Sequence, residues 1–257
     1  TSYDSFWPKW SRDKGTVMFV RTPEGIHDSS FADATIWTVP VTGGSPTKRI
    51  DEPGTAGVSS GWTALAHPEY DDDGARIVLQ ATTATGTAIV TVLTSDWSTA
   101  STRAAYVTAT ATARDPSFSA DGETIVFAFR VAASSTYGLA TVPTTTSTTV
   151  TTLLTDATTY GGYWDPYYNP AGTKIAWLVW TGAVDGSHAL GQWGIKVCDA
   201  DGSNAAWLID DGNVNSKPAW SADGSRIYFH RFRYTISTGY EIWSMRASDG
   251  GDLTRHV

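Results

Sequence analysis

A short motif recurs five times along the chain and limits what it can fold into. Its clearest copies are Asp115-Pro116-Ser117-Phe118-Ser119-Ala120-Asp121-Gly122 and Lys217-Pro218-Ala219-Trp220-Ser221-Ala222-Asp223-Gly224, each followed by a β-branched and aromatic run. Looser copies begin at Trp7-Pro8, His67-Pro68 and Asp165-Pro166. A run that ends on an aromatic, meets Ser-x-Asp-Gly and leaves through Ile-x-Phe reads as strand, tight turn, strand. The aromatics before the turns are Trp10, Tyr70, Phe118, Tyr168 and Trp220, at intervals of 60, 48, 50 and 52 residues. A period near fifty, with short strands and no helical spacing of apolar positions, predicts a β-propeller.

The expected architecture is therefore all-β: a single five-bladed β-propeller of four-stranded antiparallel blades, one domain over residues 1–257. Blades are expected at about 1–51, 52–109, 110–156, 157–210 and 211–257. After each inner strand, the outer strands are placed at 17–21, 35–39 and 47–50, then 76–80, 88–93 and 104–108. The later ones are 124–129, 139–142 and 150–154, then 174–180, 195–198 and 206–209, then 226–231, 241–245 and 253–256. Lys14 stands where other copies place glycine, and Gly15 comes one residue late, so a shifted or distorted turn is expected there. The Thr/Ser tract at 144–149 reads as an exposed hairpin rather than a glycosylated linker. Whole blades fill the chain. Closure would rest on Phe6, Trp7 and Trp10 facing residues of the last blade such as Ile227, Phe229 and Ile242, or the visible chain is part of something longer.

Bulk properties exclude several classes. With 41% hydrophobic and 17% charged residues, the 257-residue chain is an ordered globular protein. A net charge of -8 argues against general nucleic-acid binding, which needs a basic face to displace counterions. No apolar run approaches the length that crosses a bilayer, so no membrane insertion is expected. No signal peptide is visible, although the chain opens at Thr1 and processing is plausible. Cys198, the single cysteine, sits in an apolar strand and reads as a small buried hydrophobe.

The Pro-x-aromatic-Ser-x-Asp-Gly run, followed by Ile-x-Phe, resembles the repeat of TolB-type β-propellers. So does Ile195-Lys196-Val197-Cys198-Asp199-Ala200-Asp201-Gly202, and again Glu241-Ile242-Trp243-Ser244-Met245 with Ser248-Asp249-Gly250-Gly251. The likeness covers essentially the whole chain. It departs at Lys14, at Asn169-Pro170-Ala171, and in the outer halves of the second and third blades. It implies a secreted or periplasmic propeller. Such propellers serve as protein-binding modules, peptidase gates and polysaccharide lyases, so the fold leaves the function open. Some TolB-like lyases hold a metal through propeller histidines. His27, His67, His188, His230 and His256 show no ligand spacing here, so no metal is carried over.

The tight Gly/Asp turns lie on one face and are expected to be too tight to build a pocket. The opposite face carries the long connections at 22–34, 181–194 and 232–240, and is the candidate for function. Just before the inner strands, near the expected channel mouth, stand Trp7, Trp62, His67, Arg114, Asp115, Trp164, Asp165 and Lys217. Structurally, such aromatics would wedge between blades; as a set beside charges they suit a sugar or a peptide. Arg21, Arg130 and Arg231 end second strands on the same face. Their forks suit carboxylates, or pair with Asp28, Asp115, Asp165 or Asp185. No cofactor is expected. Asp199 and Asp201 are the carboxylates that calcium would use, but hairpin-turn chemistry accounts for them. The preferred reading is a non-catalytic binding module for a protein or saccharide. The alternative is a carbohydrate-active enzyme, a lyase or hydrolase, acting on an acidic polysaccharide.

Overall fold

The structure, a computed structural model, describes residues 3–11, 13–24, 31–55, 57–106, 111–131, 134, 136–144, 149–156, 162–182, 191–234 and 239–257. Among them there is no α-helix, and a 3-10 turn covers Gly57–Ser59. The first sheet orders β1 (Tyr3–Trp10), β2 (Thr16–Pro23), β3 (Thr35–Pro40) and β4 (Thr47–Ile50) in sequence. The second does the same with β5 (Trp62–Tyr70), β6 (Arg76–Thr83), β7 (Gly86–Leu93) and β8 (Ala100–Tyr106). The third holds β9 (Ala111–Phe118), β10 (Thr124–Val131), β11 (Thr136–Pro143) and β12 (Thr151–Asp156).

The fourth and fifth copies share one eight-stranded sheet. It comprises β13 (Gly162–Tyr168), β14 (Lys174–Gly182), β15 (Gln192–Asp199) and β16 (Ala206–Ile209), with β17 (Val214–Trp220), β18 (Arg226–Phe232), β19 (Glu241–Arg246) and β20 (Thr254–Arg255). A single parallel pair, Trp193 with Val214, joins its two halves. The other pairings among the described residues of this sheet are antiparallel, as the repeat predicts.

All five tight turns close alike. The backbone N–H of Ser11, Asp71, Ser119, Asn169 and Ser221 donates to the carbonyl five residues on. The residue in the fourth position donates back to the first: Lys14 to Ser11, Gly74 to Asp71, Gly122 to Ser119, Gly172 to Asn169 and Gly224 to Ser221. The first turn is thus not shifted. Lys14 simply occupies the left-handed slot, φ 56°, that glycine fills elsewhere. Asn169 replaces the serine by accepting the N–H groups of Thr173 and Lys174 on its own Oδ1. Thr144 is buried and donates to the Gly122 carbonyl, and 145–148 of the Thr/Ser tract lie outside the described residues.

The chain divides into two compact units, Thr1–Ile125 with Val142–Val150, and Val126–Thr141 with Thr151–Val257. In the first, the core lies between the first two sheets: Met18, Val20 and Ile36 meet Leu65, Ile77 and Leu79. In the second, Val126, Ala128 and Leu139 meet Ile175, Trp177 and Cys198, while Ala176, Leu178 and Ile195 meet Ile227, Phe229 and Met245. Ile227 and Phe229 therefore point into their own unit's core, and Trp10 is 62% exposed. Burial pushes the Cys198 thiol up to about 12, an inert core thiol.

Candidate functional site

Every inner strand carries its proline at the same place, and the residue before it takes a left-handed backbone. The φ values are 48° at Trp7, 52° at His67, 51° at Asp115, 46° at Asp165 and 54° at Lys217. A following proline steers a residue toward the extended region, and the left-handed region costs a side chain about 1–2 kcal/mol. Strand pairing holds the conformation. Register with the second strand shifts between Phe6 and Lys9, Ala66 and Glu69, Trp164 and Tyr167, and Ser216 and Ala219. Two inner-strand residues thus face one partner, a β-bulge that re-aims the side chain before the proline. The residues expected ahead of the inner strands stand within them. Backbone strain of this kind clusters at active sites and ligand clamps, and here it recurs at equivalent positions that mostly bear ionisable groups.

In the first unit, the Trp7 ring lies 4.1 Å from that of His67 and 4.8 Å from that of Phe31. His67 Nε2 is 3.1 Å from Asp115 Oδ1, and the Asp115 side chain is almost wholly buried. Beneath this group Glu69 accepts from Lys9 Nζ at 3.2 Å and from Ser117 Oγ at 2.9 Å, tying three inner strands together. Arg114 reaches Thr112 Oγ1 at 3.3 Å. Trp62 stands apart, 8% exposed in the core between the first two sheets, with no ring face open to a ligand. Arg21 lies over the rings of Tyr3, Phe19 and Trp37.

In the second unit, Lys217 Nζ donates to the buried Asp165 Oδ2 at 2.8 Å, while the lysine side chain stays half exposed. Trp164 meets Trp193 edge-on at 5.0 Å, and Gly162 makes room for it: a Cβ there would fall 2.2 Å from the indole. Arg231 is buried, paired with Asp211 and stacked over Trp243 at 5.1 Å. Within its unit the aspartate it pairs with is Asp211 and not Asp165, and it is walled in rather than presented. Burial acts to raise the Asp211 carboxyl, but Asn215 and Arg231 outweigh it and hold the group below its ordinary value. Asp199 accepts from Lys174 Nζ and Asn204 Nδ2, and Asp201 from the Ser203 hydroxyl, so these donors would compete with a cation for the same oxygens. His27, His188, Asp28 and Asp185 lie outside the described residues.

Sequence reasoning missed one feature at the turn end. Single turns are too tight for a pocket, but two neighbouring ones in the first unit border an open groove of about 800 Å³, lined by Trp10, Lys14, Tyr70 and Asp72. Burial pushes the Tyr70 hydroxyl up to about 12. The aromatics before the turns were visible as a ruler; nothing in the spacing said that one would be left uncovered.

No family model and no curated protein matches the sequence. Solved structures do match. A TolB described as putative from Agrobacterium tumefaciens aligns with a TM-score of 0.70 at 17% identity, over 99% of this chain and 81% of that one. TolB from Acinetobacter baumannii aligns at 0.66 and 14% identity, over 96% of this chain and 53% of that chain. An oligogalacturonate lyase in complex with manganese aligns at 0.65 and 12% identity, over 99% and 72%. These likenesses define the fold class: a TolB-like β-propeller of four-stranded antiparallel sheets. No helix among the described residues is long and apolar enough to cross a membrane.

Proposed function

We propose that the five copies are blades of one propeller and that the chain is a secreted or periplasmic binding module. Its ligand is a saccharide or a protein segment, held by the residues before the repeat prolines. The observation that carries this reading is the recurrence of strained, left-handed pre-proline positions bearing Trp7, His67, Asp115, Asp165 and Lys217. Within each unit these side chains already hold one another, His67 with Asp115 and Lys217 with Asp165. Preorganised donors and acceptors of that kind favour recognition of a hydroxyl-rich or charged group over a flat contact.

The second reading, an enzyme on an acidic polysaccharide, draws on one feature. A buried carboxylate 3.1 Å from His67 Nε2 can fix the orientation of the ring, as a carboxylate does for the histidine of an acid–base pair. An oligogalacturonate lyase is among the similar structures, at 12% identity.

Calorimetry of the protein and its Trp7→Ala and Lys217→Ala variants, titrated with oligogalacturonates and with neutral oligosaccharides, tests the first reading. A saccharide site predicts general weakening in Trp7→Ala and loss of charge preference in Lys217→Ala. Absence of binding to either class leaves protein partners as the ligand. Release of unsaturated product from oligogalacturonate, abolished in His67→Ala, would replace the first reading by the second.

A further inference from the structure

We propose that the open groove at the turn end of the first unit binds a neutral oligosaccharide, at a site separate from the residues before the repeat prolines. Trp10, Lys14 and Val41 of the first copy line it with Tyr70, Asp71 and Asp72 of the second, around about 800 Å³. That lies in the range of clefts that take small molecules, about 300–1,000 Å³. All six residues belong to the first unit, so the groove is a feature of that unit by itself. The corresponding groove between the fourth and fifth copies, lined by Asn169 and Trp220, is smaller, at about 380 Å³. There the Trp220 indole N–H donates to the Tyr167 carbonyl, and glycine fills both left-handed turn positions, Gly172 and Gly224.

Lys14 sets the groove of the first unit apart. Its backbone sits at φ 56°, in the slot that glycine fills in the other four turns, and a side chain there is strained. Its ammonium meets no acceptor among the described residues. No contact within the fold therefore offsets the strain. A residue that breaks a local rule without a compensating contact marks a place where function competes with stability.

The lining defines the class of ligand. Asp71 is buried and its carboxylate is held by Arg76 Nε at 2.8 Å, which leaves Lys14 and Asp72 as one positive and one negative group. Charges that cancel favour neither anion nor cation, yet they offer hydroxyls a strong donor and a strong acceptor. The exposed Trp10 adds an aromatic face, whose negative charge density attracts the polarised C–H groups of a sugar ring. Burial pushes the Tyr70 hydroxyl up to about 12, so it stays protonated and both donates and accepts. An extended peptide fits less well. The N–H groups of Ser11, Lys14, Val41 and Asp71 already donate within the turns, so no open ladder awaits a strand.

Calorimetry with cellotetraose, mannotetraose and maltotetraose tests the proposal, with Trp7→Ala and Lys217→Ala as controls for the other end of the molecule. At least one of the three sugars should bind, and both controls should keep that affinity. Trp10→Ala should weaken it about tenfold or more. Lys14→Gly is the sharper variant, because it restores the repeat's own residue and should fold at least as stably as the parent. It should nonetheless bind the same sugar about tenfold more weakly, through loss of a charged hydrogen bond. Undiminished binding in either Trp10→Ala or Lys14→Gly overturns the proposal, as does absence of heat with all three sugars in the millimolar range. Affinity lost in Trp7→Ala but kept in Trp10→Ala also overturns it, and places the sugar at the residues before the prolines instead.

Discussion

Lys14 shows how a single residue can break the repeat's rule without breaking its turn. Its N–H makes the bond that glycine makes in four other copies, at φ 56°. Left-handed backbone costs a side chain about 1–2 kcal/mol, and glycine returns part of that through its looser unfolded state. Lys14→Gly should therefore stabilise by about 0.5–1 kcal/mol, measured by urea unfolding; a loss would mean that the lysine side chain contributes contacts of its own. The turn aspartates make a second case. Asp223 accepts from the Ser221 hydroxyl first, then from the Ser225 N–H and hydroxyl, and its carboxyl is lowered from 3.8 to about 2. A depressed carboxyl stabilises above its unfolded value and loses that contribution as pH falls through its folded value. Asp223→Asn should melt lower than the parent at neutral pH, with the gap closing between about pH 4 and pH 2. A gap that stays constant across that range contradicts the assignment. This turn chemistry was legible in Ser-x-Asp-Gly, because it is local. The left-handed state of Trp7 or Asp165 was not, since a following proline alone argues for extended backbone and only cross-strand register reverses it.

At the scale of elements, most strands lie where the period places them and many run longer, whereas β20 is shorter and β8 begins four residues early. The second strand of the second copy continues through Ala81, Thr82 and Thr83 because Gly86 starts its partner opposite, and threonine pairs well on an outer strand. The parallel pair that fuses the last two copies rests on Trp193 and Val214 alone, and no pattern of residues announces a single bridge. Trp177 tests how much the sheets depend on their interfaces. It is fully buried between the third and fourth copies, with an indole N–H that has no hydrogen-bond partner among the described residues. Trp177→Ala should cost about 3–5 kcal/mol through lost transfer energy and the cavity left behind. Trp177→Phe should cost much less, since it removes a polar group that the core leaves unsatisfied. Equal losses in both, by the same denaturant titration, would show that the N–H has a partner after all. The site itself was half legible. Residues beside the repeat prolines were marked out by their place in the motif, but burial of Trp62 between the first two sheets, and of Arg231 against Asp211 and Trp243, depends on packing that spacing alone does not show.

At the scale of the whole molecule, net charge sets a condition on the proposed ligand. The chain carries -8, whereas the candidate site of the second unit offers an anion one half-exposed ammonium at Lys217. Which of these governs capture depends on distance. At 0.01 M salt the screening length is about 30 Å, enough for an approaching oligogalacturonate to feel the whole acidic surface. At 0.15 M it is about 8 Å, so only the charges lining the site remain in range. Repulsion should therefore dominate at low salt and local attraction near physiological salt. The association rate for oligogalacturonate, followed by stopped-flow tryptophan fluorescence, should rise as salt is raised from 0.01 to 0.15 M, while that of a neutral oligosaccharide stays flat. Lys217→Ala should steepen nothing at low salt but lower the rate at 0.15 M, where its charge is what the ligand meets. A rate that falls steadily with salt would show the opposite balance, a site whose own basic groups steer anions over the field of the entire chain.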